Sequence, residues 1–144
     1  MARTEMGDII EELVTLERAI TGTRAAYAEG PESIASAPAW VNFPRAGMFS
    51  AQTGWGDDLH TLACACVKRG ALHTGDERLM RPMITRFPDA LHANLTLNGK
   101  ITAVEAIRYE YGLIEVLSTE EESFFGVLFE VDLRVNDCPI EVAA

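Results

Sequence analysis

The sequence predicts an α+β fold, in which a mainly antiparallel sheet of four to five strands carries two helices packed on one face. Two segments space their apolar residues three and four positions apart, as amphipathic helices do. Other segments are β-branched, aromatic or alternating, as strands are. These elements are segregated along the chain in the order α-β-β-β-α-β-β, which is typical of this class.

The first helix is expected over the N-terminal twenty residues. Its apolar residues form one stripe at helical spacing: Met6, Ile9, Ile10, Leu13, Leu16 and Ile20. Acidic residues crowd its first turns, as the helix dipole favours, and Gly22 is its predicted C-cap. The stretch 23–38 is rich in Ala, Ser, Gly and Pro, which predicts a connector.

Three strands are predicted next. Residues 39–43 are aromatic and β-branched and end at a proline, a short strand is expected around 48–52, and a long one over 59–69. The long strand is apolar on both faces, which predicts that both faces are covered. A helix is expected on one face, and either a second subunit or the connector 23–38 on the other.

The second helix is expected over residues 76–94. Pro82 and Pro88 interrupt its apolar stripe, and an interior proline kinks or breaks a helix at a cost of about 3 kcal/mol. The helix is therefore predicted either to be kinked or to start near Pro82 after a preceding turn.

Two strands complete the order. Asn98-Gly99 is a tight-turn signal that leads into a strand over 101–117. A charged loop follows, and residues 124–135 then place six apolar residues at period two, which is the clearest strand pattern in the chain.

Composition narrows the function classes. The 144 residues hold 12 basic and 22 acidic side chains, so the net charge is −10, and 48% of residues are hydrophobic. A single domain over 1–144 is expected, with a core over about 5–136 and a tail over 137–144. The hydrophobic content disfavours intrinsic disorder. The net negative charge disfavours binding of nucleic-acid phosphates through a basic surface.

Targeting signals and membrane segments are not visible in the sequence. No run approaches the roughly 18 apolar residues of a membrane span, and no signal-peptide pattern opens the chain. We therefore expect that the protein does not associate with membranes and stays in the reducing cytosol. In that compartment Cys64, Cys66 and Cys138 are expected to be free thiols.

Catalytic and metal-binding motifs are sparse. Neither a phosphate-binding glycine loop nor a GxSxG elbow is present. Cys64 and Cys66 share a predicted strand face with His60, which would suit a metal or a nucleophile, but zinc sites usually pair two ligand clusters and no second one follows. We predict core or interface thiols, with no catalytic residue, metal or cofactor.

Paired acids and tryptophans admit a simpler interpretation than catalysis. Asp57-Asp58 and Glu120–Glu122 are predicted to be solvated loop residues rather than acid/base or magnesium ligands. Trp40 is predicted in the core, and Trp55, between two glycines, is left open between core and contact roles.

Three stretches of the chain carry a family resemblance. The first is the N-terminal helix, which leads through Pro31-Glu-Ser-Ile34 to the strand at 38–44. The second is the strand 59–69, followed by the helix that ends in 89–99. The third is the strand that ends at Tyr109-Glu-Tyr-Gly112, followed by the final strand 124–135. In segment order and spacing they resemble the tail terminator (tail completion) proteins of long-tailed bacteriophages and phage-like particles.

That resemblance implies a structural virion protein without catalysis. Members form a ring, usually a homohexamer, that caps the finished tail tube, ends its polymerisation and joins it to the head–tail connector protein. It implies a location in the host cytoplasm during assembly and then at the neck end of the virion or particle tail. The expected partners are other copies of the chain, the tail-tube protein and the connector, while DNA passes through the channel without specific binding.

Two sets of site residues follow as expectations. Candidate interface residues are Phe49, Trp55, Leu62, Cys64 and Cys66. Candidate acidic residues for the channel or the tube-facing rim, where like charge would repel DNA, are Asp57, Asp58, Glu120, Glu121 and Glu122. The loop 118–123 and the tail are further contact candidates.

Two other classes of function remain open from sequence. One is a small cytosolic binding protein, or a neck or minor-tail module, that acts as a monomer or dimer. The other is a cysteine-dependent enzyme that uses Cys64 or Cys66 with His60.

Overall fold

The computed structural model describes residues 4–28, 30, 37–50, 57–70 and 73–136. Its helices and strands are α1 (Met6–Arg18), β1 (Ala25–Tyr27), β2 (Ala39–Met48), β3 (Asp57–Arg69), α2 (Thr74–Met80), α3 (Met83–His92), β4 (Ala103–Leu113) and β5 (Phe124–Asn136). The strands form one sheet in the order β1-β2-β3-β5-β4. β1 is parallel to β2, and the remaining neighbours are antiparallel. The predicted α+β class and element order are confirmed, with α2 and α3 together in the place of the second helix.

The second helix breaks where its prolines predict. α2 ends at Met80, and α3 begins directly after Pro82, which lacks the N–H that would continue the hydrogen-bond ladder. Pro88 lies inside α3 without ending it. The predicted start near Pro82 is confirmed, but a seven-residue helix, α2, precedes the turn at residues 81–82.

The first strands differ from prediction in their positions. β1 lies within the predicted connector 23–38, and β2 runs through Pro44 to Met48 as one strand with an irregularity between Pro44 and Ala46. The prediction of a separate strand around 48–52 is therefore wrong where that strand would start, because residue 48 belongs to β2. Residues 51–52 lie outside the described residues. Three strands still lie between α1 and α2 in the sequence, because β1 takes the place of the strand predicted around 48–52.

β4 is shorter than predicted. It ends at Leu113, and the chain then turns, with Ile114 donating its N–H to the carbonyl of Phe124 and Leu117 to that of Ile114. The turn carries Ile114 and Leu117 back over the sheet, where both are buried. Propensity alone favoured a strand to residue 117, but this packing ends it earlier.

α1 and α3 contribute to a core on one face of the sheet. Three aromatic rings form its centre, with centroids 5.1 Å apart for Trp40 and Phe87, 4.5 Å for Phe87 and Phe129, and 6.0 Å for Trp40 and Phe129. Such pairs add about 0.5–1.5 kcal/mol beyond area burial. The core placement predicted for Trp40 is confirmed.

The opposite face of β3 is covered by the chain itself. Val41, Ala63, Ala65 and Val67 form a second buried cluster with Ile114, Leu117, Phe124 and Leu128. The cover is thus the turn after β4 and the start of β5. Within the described residues this burial needs no second subunit, which corrects that expectation, while residues 29 and 31–36 of the connector lie outside the described part of the chain.

Polar pairs occupy the rest of that outer face. Arg108 lies 2.6 Å from Asp132 and Arg134 lies 2.7 Å from Glu105, while the Thr61 hydroxyl donates to Asp132 at 2.7 Å. None of the described helices is long and apolar enough to cross a membrane.

Candidate functional site

The strand order leaves β4 at one edge of the sheet. Within the described chain its one strand neighbour is β5, so backbone N–H and C=O groups along its other edge point outward. An open edge of this kind is a template for pairing with another strand. At eleven residues, β4 is long for an edge strand.

A row of large side chains lies on the helix-facing side of β4. Tyr109, Tyr111 and Leu113, hereafter the β4 row, pair in register with Phe129, Val127 and Phe125. Phe129 and Val127 are buried and Phe125 is half-buried, whereas the β4 row extends into solvent, with Tyr109 55% and Leu113 46% exposed. The row is therefore an apolar and aromatic strip beside an open strand edge, which is a typical composition of a contact surface.

A groove runs between α3 and the start of β4. This α3–β4 groove is a shallow, open depression of about 470 Å³, and its apolar lining includes Ile84, Pro88, Leu95, Val104, Ile107 and Tyr109. Its floor reaches the aromatic core, since the Tyr109 and Phe129 rings lie 6.3 Å apart. His92 and Glu105 are its lining residues with basic or acidic side chains, so the groove is largely uncharged on a chain whose net charge is −10.

Two ion pairs lie on the other side of β4, where Glu110 is also exposed. The Arg108 guanidinium holds the pKa of the Asp132 carboxyl below its usual value, and Asp132 in turn raises the pKa of Arg108. Glu105 is paired with Arg134. The pairing lowers the electrostatic repulsion that an approaching acidic chain would meet at this edge.

A polar cluster lies inside the core between α1, β2 and β3. Glu17 is fully buried, and its Oε1 accepts a 2.7 Å hydrogen bond from Nδ2 of Asn42, which also donates to the Tyr27 carbonyl. Burial raises the pKa of Glu17 to about 8, although the hydrogen bonds from Asn42 and Cys64 oppose that rise. Glu17 is therefore mostly a neutral acid at pH 7.

The two core cysteines are unsuited to nucleophilic chemistry. Burial, and secondarily the neighbouring Glu17, raises the pKa of both the Cys64 and the Cys66 thiols. The thiolate is the reactive form, and Cys66 Sγ packs 3.7 Å from the sulfur of Met80. The geometry therefore gives no support to the cysteine–His60 enzyme hypothesis.

Three of the predicted interface residues are in the wrong place for contact with another chain. Leu62, Cys64 and Cys66 lie under the helices in the main core, each at most 1% exposed. The sequence correctly predicts that these three residues share one face of β3. The helices, rather than another subunit, cover that face. The interface interpretation of these three residues is wrong.

The other two interface candidates fall between β2 and β3 in the sequence. Phe49 is 62% exposed and meets the His60 ring edge-on at 5.3 Å, so it remains a candidate contact residue. Trp55 lies outside the described residues.

The predicted acidic residues do not form one patch. Asp58 is 1% exposed, and its carboxylate accepts a hydrogen bond from the Ser50 N–H, so its assignment to a solvent-facing rim is wrong. Asp57 is exposed at the first residue of β3, 3.6 Å from Arg134. Glu122 pairs with Arg69, the last residue of β3, at 2.6 Å.

The separation of these acids follows from the length of β3. The strand has 13 residues, which at about 3.3 Å per residue places its ends roughly 40 Å apart. Asp57 therefore lies at one end of the sheet, while the exposed Glu120, Glu121 and Glu122 lie at the other. No group of three or more His, Cys, Asp or Glu side chains in the described part of the chain is arranged to hold a metal ion.

Sequence reasoning missed the β4 row and the Glu17–Asn42 pair. The alternation in 101–117 was visible, but nothing local marks β4 as an edge strand. Glu17 has a better signal, because it directly follows Leu16 in the apolar stripe of α1 and is four residues from Leu13. No protein-family model matches the chain, and no curated protein matches it in sequence.

Proposed function

We propose that this protein is a structural subunit of a phage-type tail, which forms a homohexameric ring that caps the tail tube, ends its polymerisation and joins it to the head connector. The observation that carries the proposal is the open β4 edge beside the exposed β4 row. The resemblance in segment order to tail terminator proteins supplies the kind of assembly.

The chemistry of this surface suits self-assembly. A ring requires a heterologous interface, in which one patch of a subunit meets a different patch of the next. A strand edge with adjacent apolar side chains provides main-chain hydrogen bonds and burial together. On a chain of net charge −10, a largely uncharged strip is where two copies approach with the least repulsion.

The acidic balance suits a channel for DNA. Exposed carboxylates repel phosphate within a Debye length of about 8–10 Å. With Asp58 buried, Glu120, Glu121 and Glu122 are the compact exposed acidic group that remains from the predicted set. We assign this loop to the channel or the tube-facing rim.

Native mass spectrometry, alone and with added tail tubes, tests the ring. We expect a species of about 95 kDa, six times the 15.8 kDa chain, either alone or once tubes are present. A monomer that also ignores tail tubes, or a tight dimer, would instead favour the small binding module.

A pair of variants tests the surface. Leu113→Asp places a charge in the β4 row and should abolish the ring, whereas Val116→Asp places the same charge at a comparably exposed apolar residue, 42% exposed, in the turn after β4. Both sites are solvent-exposed, so both variants should fold. Equal ring formation by both variants would show that the β4 row is not the interface.

A further inference from the structure

We propose that Phe49 of one subunit docks into the α3–β4 groove of the next, so that the end of β2 supplies the second patch of the ring interface. The inference deepens the proposed function and rests on it, because a heterologous interface needs two different patches and the open β4 edge accounts for one. It is carried by the exposure of Phe49, by the contacts that fix its position and by where it lies relative to the groove.

Phe49 is a large apolar residue at the surface of the molecule. It is 62% exposed, and Met48 directly before it is 63% exposed. These are the two highest exposures among the large hydrophobic residues that the structure describes. Aromatic residues are enriched at the centres of interfaces, where each removes about 150–250 Å² from water. Phe49 therefore has the size and the exposure of an interface anchor.

The chain around Phe49 is held in place by the same molecule. The Phe49 ring meets the His60 ring edge-on at 5.3 Å. The next residue, Ser50, donates its N–H at 2.8 Å to the carboxylate of Asp58, which is 1% exposed. Asp58 is thus a buried anchor for the segment that carries the exposed ring. A side chain that is positioned in advance loses less conformational entropy when it docks.

Phe49 and the groove lie at the same end of the sheet but at opposite edges. One row of register partners crosses the sheet at this end: Met48, Leu59, Arg134 and Ala103. The row spans three strand spacings, about 14 Å, from the residue before Phe49 to the first residue of β4. Because β1 pairs only with the first three residues of β2, β2 is the outermost described strand at this end.

Both surfaces are on the helix-facing side of the sheet. His60, which the Phe49 ring contacts, shares its face of β3 with Leu62 and Cys64, and these two lie under the helices. The groove lies between α3 and the start of β4 on that same side. Copies placed side by side therefore bring Phe49 of one against the groove of the next with little shift along the strands. Successive copies that stay level in this way close into a ring rather than a helical filament.

The groove offers Phe49 an apolar and aromatic lining. Pro88 and Leu95 lie on its helix side, and Leu95 is 47% exposed. The Tyr109 ring on its β4 side provides an aromatic surface on which a phenyl ring packs offset or edge-on. Because the groove is shallow and open, a side chain from a second copy reaches this lining without a rearrangement of α3.

The charges beside the two surfaces are complementary. Residues 43–50 contain Arg45 and no acidic residue, on a chain whose net charge is −10. β4 carries Glu105 and Glu110 against a single basic residue, Arg108. A positively charged segment therefore approaches an acidic edge when β2 meets β4, whereas two β4 edges would bring acidic residues together. This favours a second copy in head-to-tail orientation as the occupant of the groove.

Photo-cross-linking of the assembled protein identifies what Phe49 contacts. The photoreactive residue p-benzoylphenylalanine replaces Phe49 in an equal mixture of light-isotope and heavy-isotope chains. We expect cross-linked peptides that join a light chain to a heavy one, from this residue to the groove-lining ranges 84–95 or 104–109. Cross-links between chains that reach other ranges, or cross-links confined to one chain, would overturn the inference.

Three variants test the contact in native mass spectrometry under the conditions in which the wild-type ring forms. Phe49→Asp and Leu95→Asp each place a charge in the contact, and each should lower the fraction of chains in rings by at least about tenfold. The matched control is Leu79→Asp, at a residue on α2 that is 48% exposed and lines neither surface, and it should assemble as wild type does. All three sites are exposed, so unchanged near-ultraviolet circular dichroism is expected.

The outcomes separate this inference from the proposed function. Rings formed equally by Phe49→Asp and by wild type would overturn the inference and leave the proposed function intact. A wild-type chain that stays monomeric even with added tail tubes would overturn both.

Discussion

The Glu17 carboxyl on α1 accepts a 2.7 Å hydrogen bond from the Asn42 side-chain amide on β2, inside the core. The other oxygens of the two groups, Oε2 of Glu17 and Oδ1 of Asn42, receive no hydrogen bond. A buried acceptor without a donor costs about 1–3 kcal/mol. Burial disfavours the charged carboxylate and raises the pKa of Glu17 to about 8. Protonation removes the buried charge and turns one acceptor into a donor.

This relationship predicts a pH-dependent stability. The folded-state pKa of Glu17 is raised to about 8 from 4.5, so the folded state holds a proton that the unfolded state releases between those values. The stabilising contribution is complete below about pH 4.5, and is lost as pH rises towards 8 at up to about 1.4 kcal/mol per pH unit. Urea unfolding at pH 5 and pH 8 measures this slope.

Glu17→Gln isolates the effect. Glutamine is neutral at every pH and carries an N–H donor, so the variant should unfold with a free energy higher than wild type by a few kcal/mol at pH 8 and should lack the slope. Glu11→Gln, on the exposed side of the same helix, should retain it. A wild-type slope no steeper than that of Glu17→Gln would contradict the buried neutral acid.

The core thiols should resist alkylation. Because burial raises the pKa of Cys64 and Cys66, neither should react with iodoacetamide at pH 7.5 at more than about one hundredth of the rate of a free cysteine. Peptide mass spectrometry of native and urea-unfolded samples measures this. Rapid labelling of either thiol in the native protein would contradict this prediction and favour the hypothesis of a cysteine-dependent enzyme.

Gly126 is required by the close approach of β5 to β3. Its φ is +153°, and an added Cβ would lie 1.9 Å from the Cys66 carbonyl oxygen. Gly126→Ala should therefore lower the free energy of unfolding by more than about 3 kcal/mol. Gly7→Ala, where an added Cβ meets nothing within 4 Å, should raise it by about 0.5–1 kcal/mol. Equal denaturation midpoints for the two variants would contradict this account.

Reversal of the acidic loop tests the channel assignment. Glu120→Lys, Glu121→Lys and Glu122→Lys together should impair DNA delivery by assembled particles while rings still form. The lost Glu122–Arg69 pair is largely exposed, and such pairs contribute about 0–1 kcal/mol. The same charge change at three exposed acids, Glu5 directly before α1 and Asp8 and Glu11 within it, is the control. Normal infectivity of the loop variant would reject the assignment.

Local sequence patterns determined the class of fold and the break in the second helix. The spacing of apolar residues in α1 and β5, and the missing N–H of Pro82, act within a few residues of each other. Such patterns specify which side chains share a face. They also predicted the parity of β3, with Cys64 and Cys66 on one face and Ala63 and Ala65 on the other.

Only the tertiary structure decided what covers each face. The helices bury Cys64 and Cys66, the turn through Ile114 and Leu117 buries the other side of β3, and β4 is left at an edge. The physical reason is that strand order and layer packing depend on contacts between residues far apart in the chain, which periodicity does not encode. The sequence therefore determined the faces of the elements, and long-range packing determined which of those faces remain open to a partner.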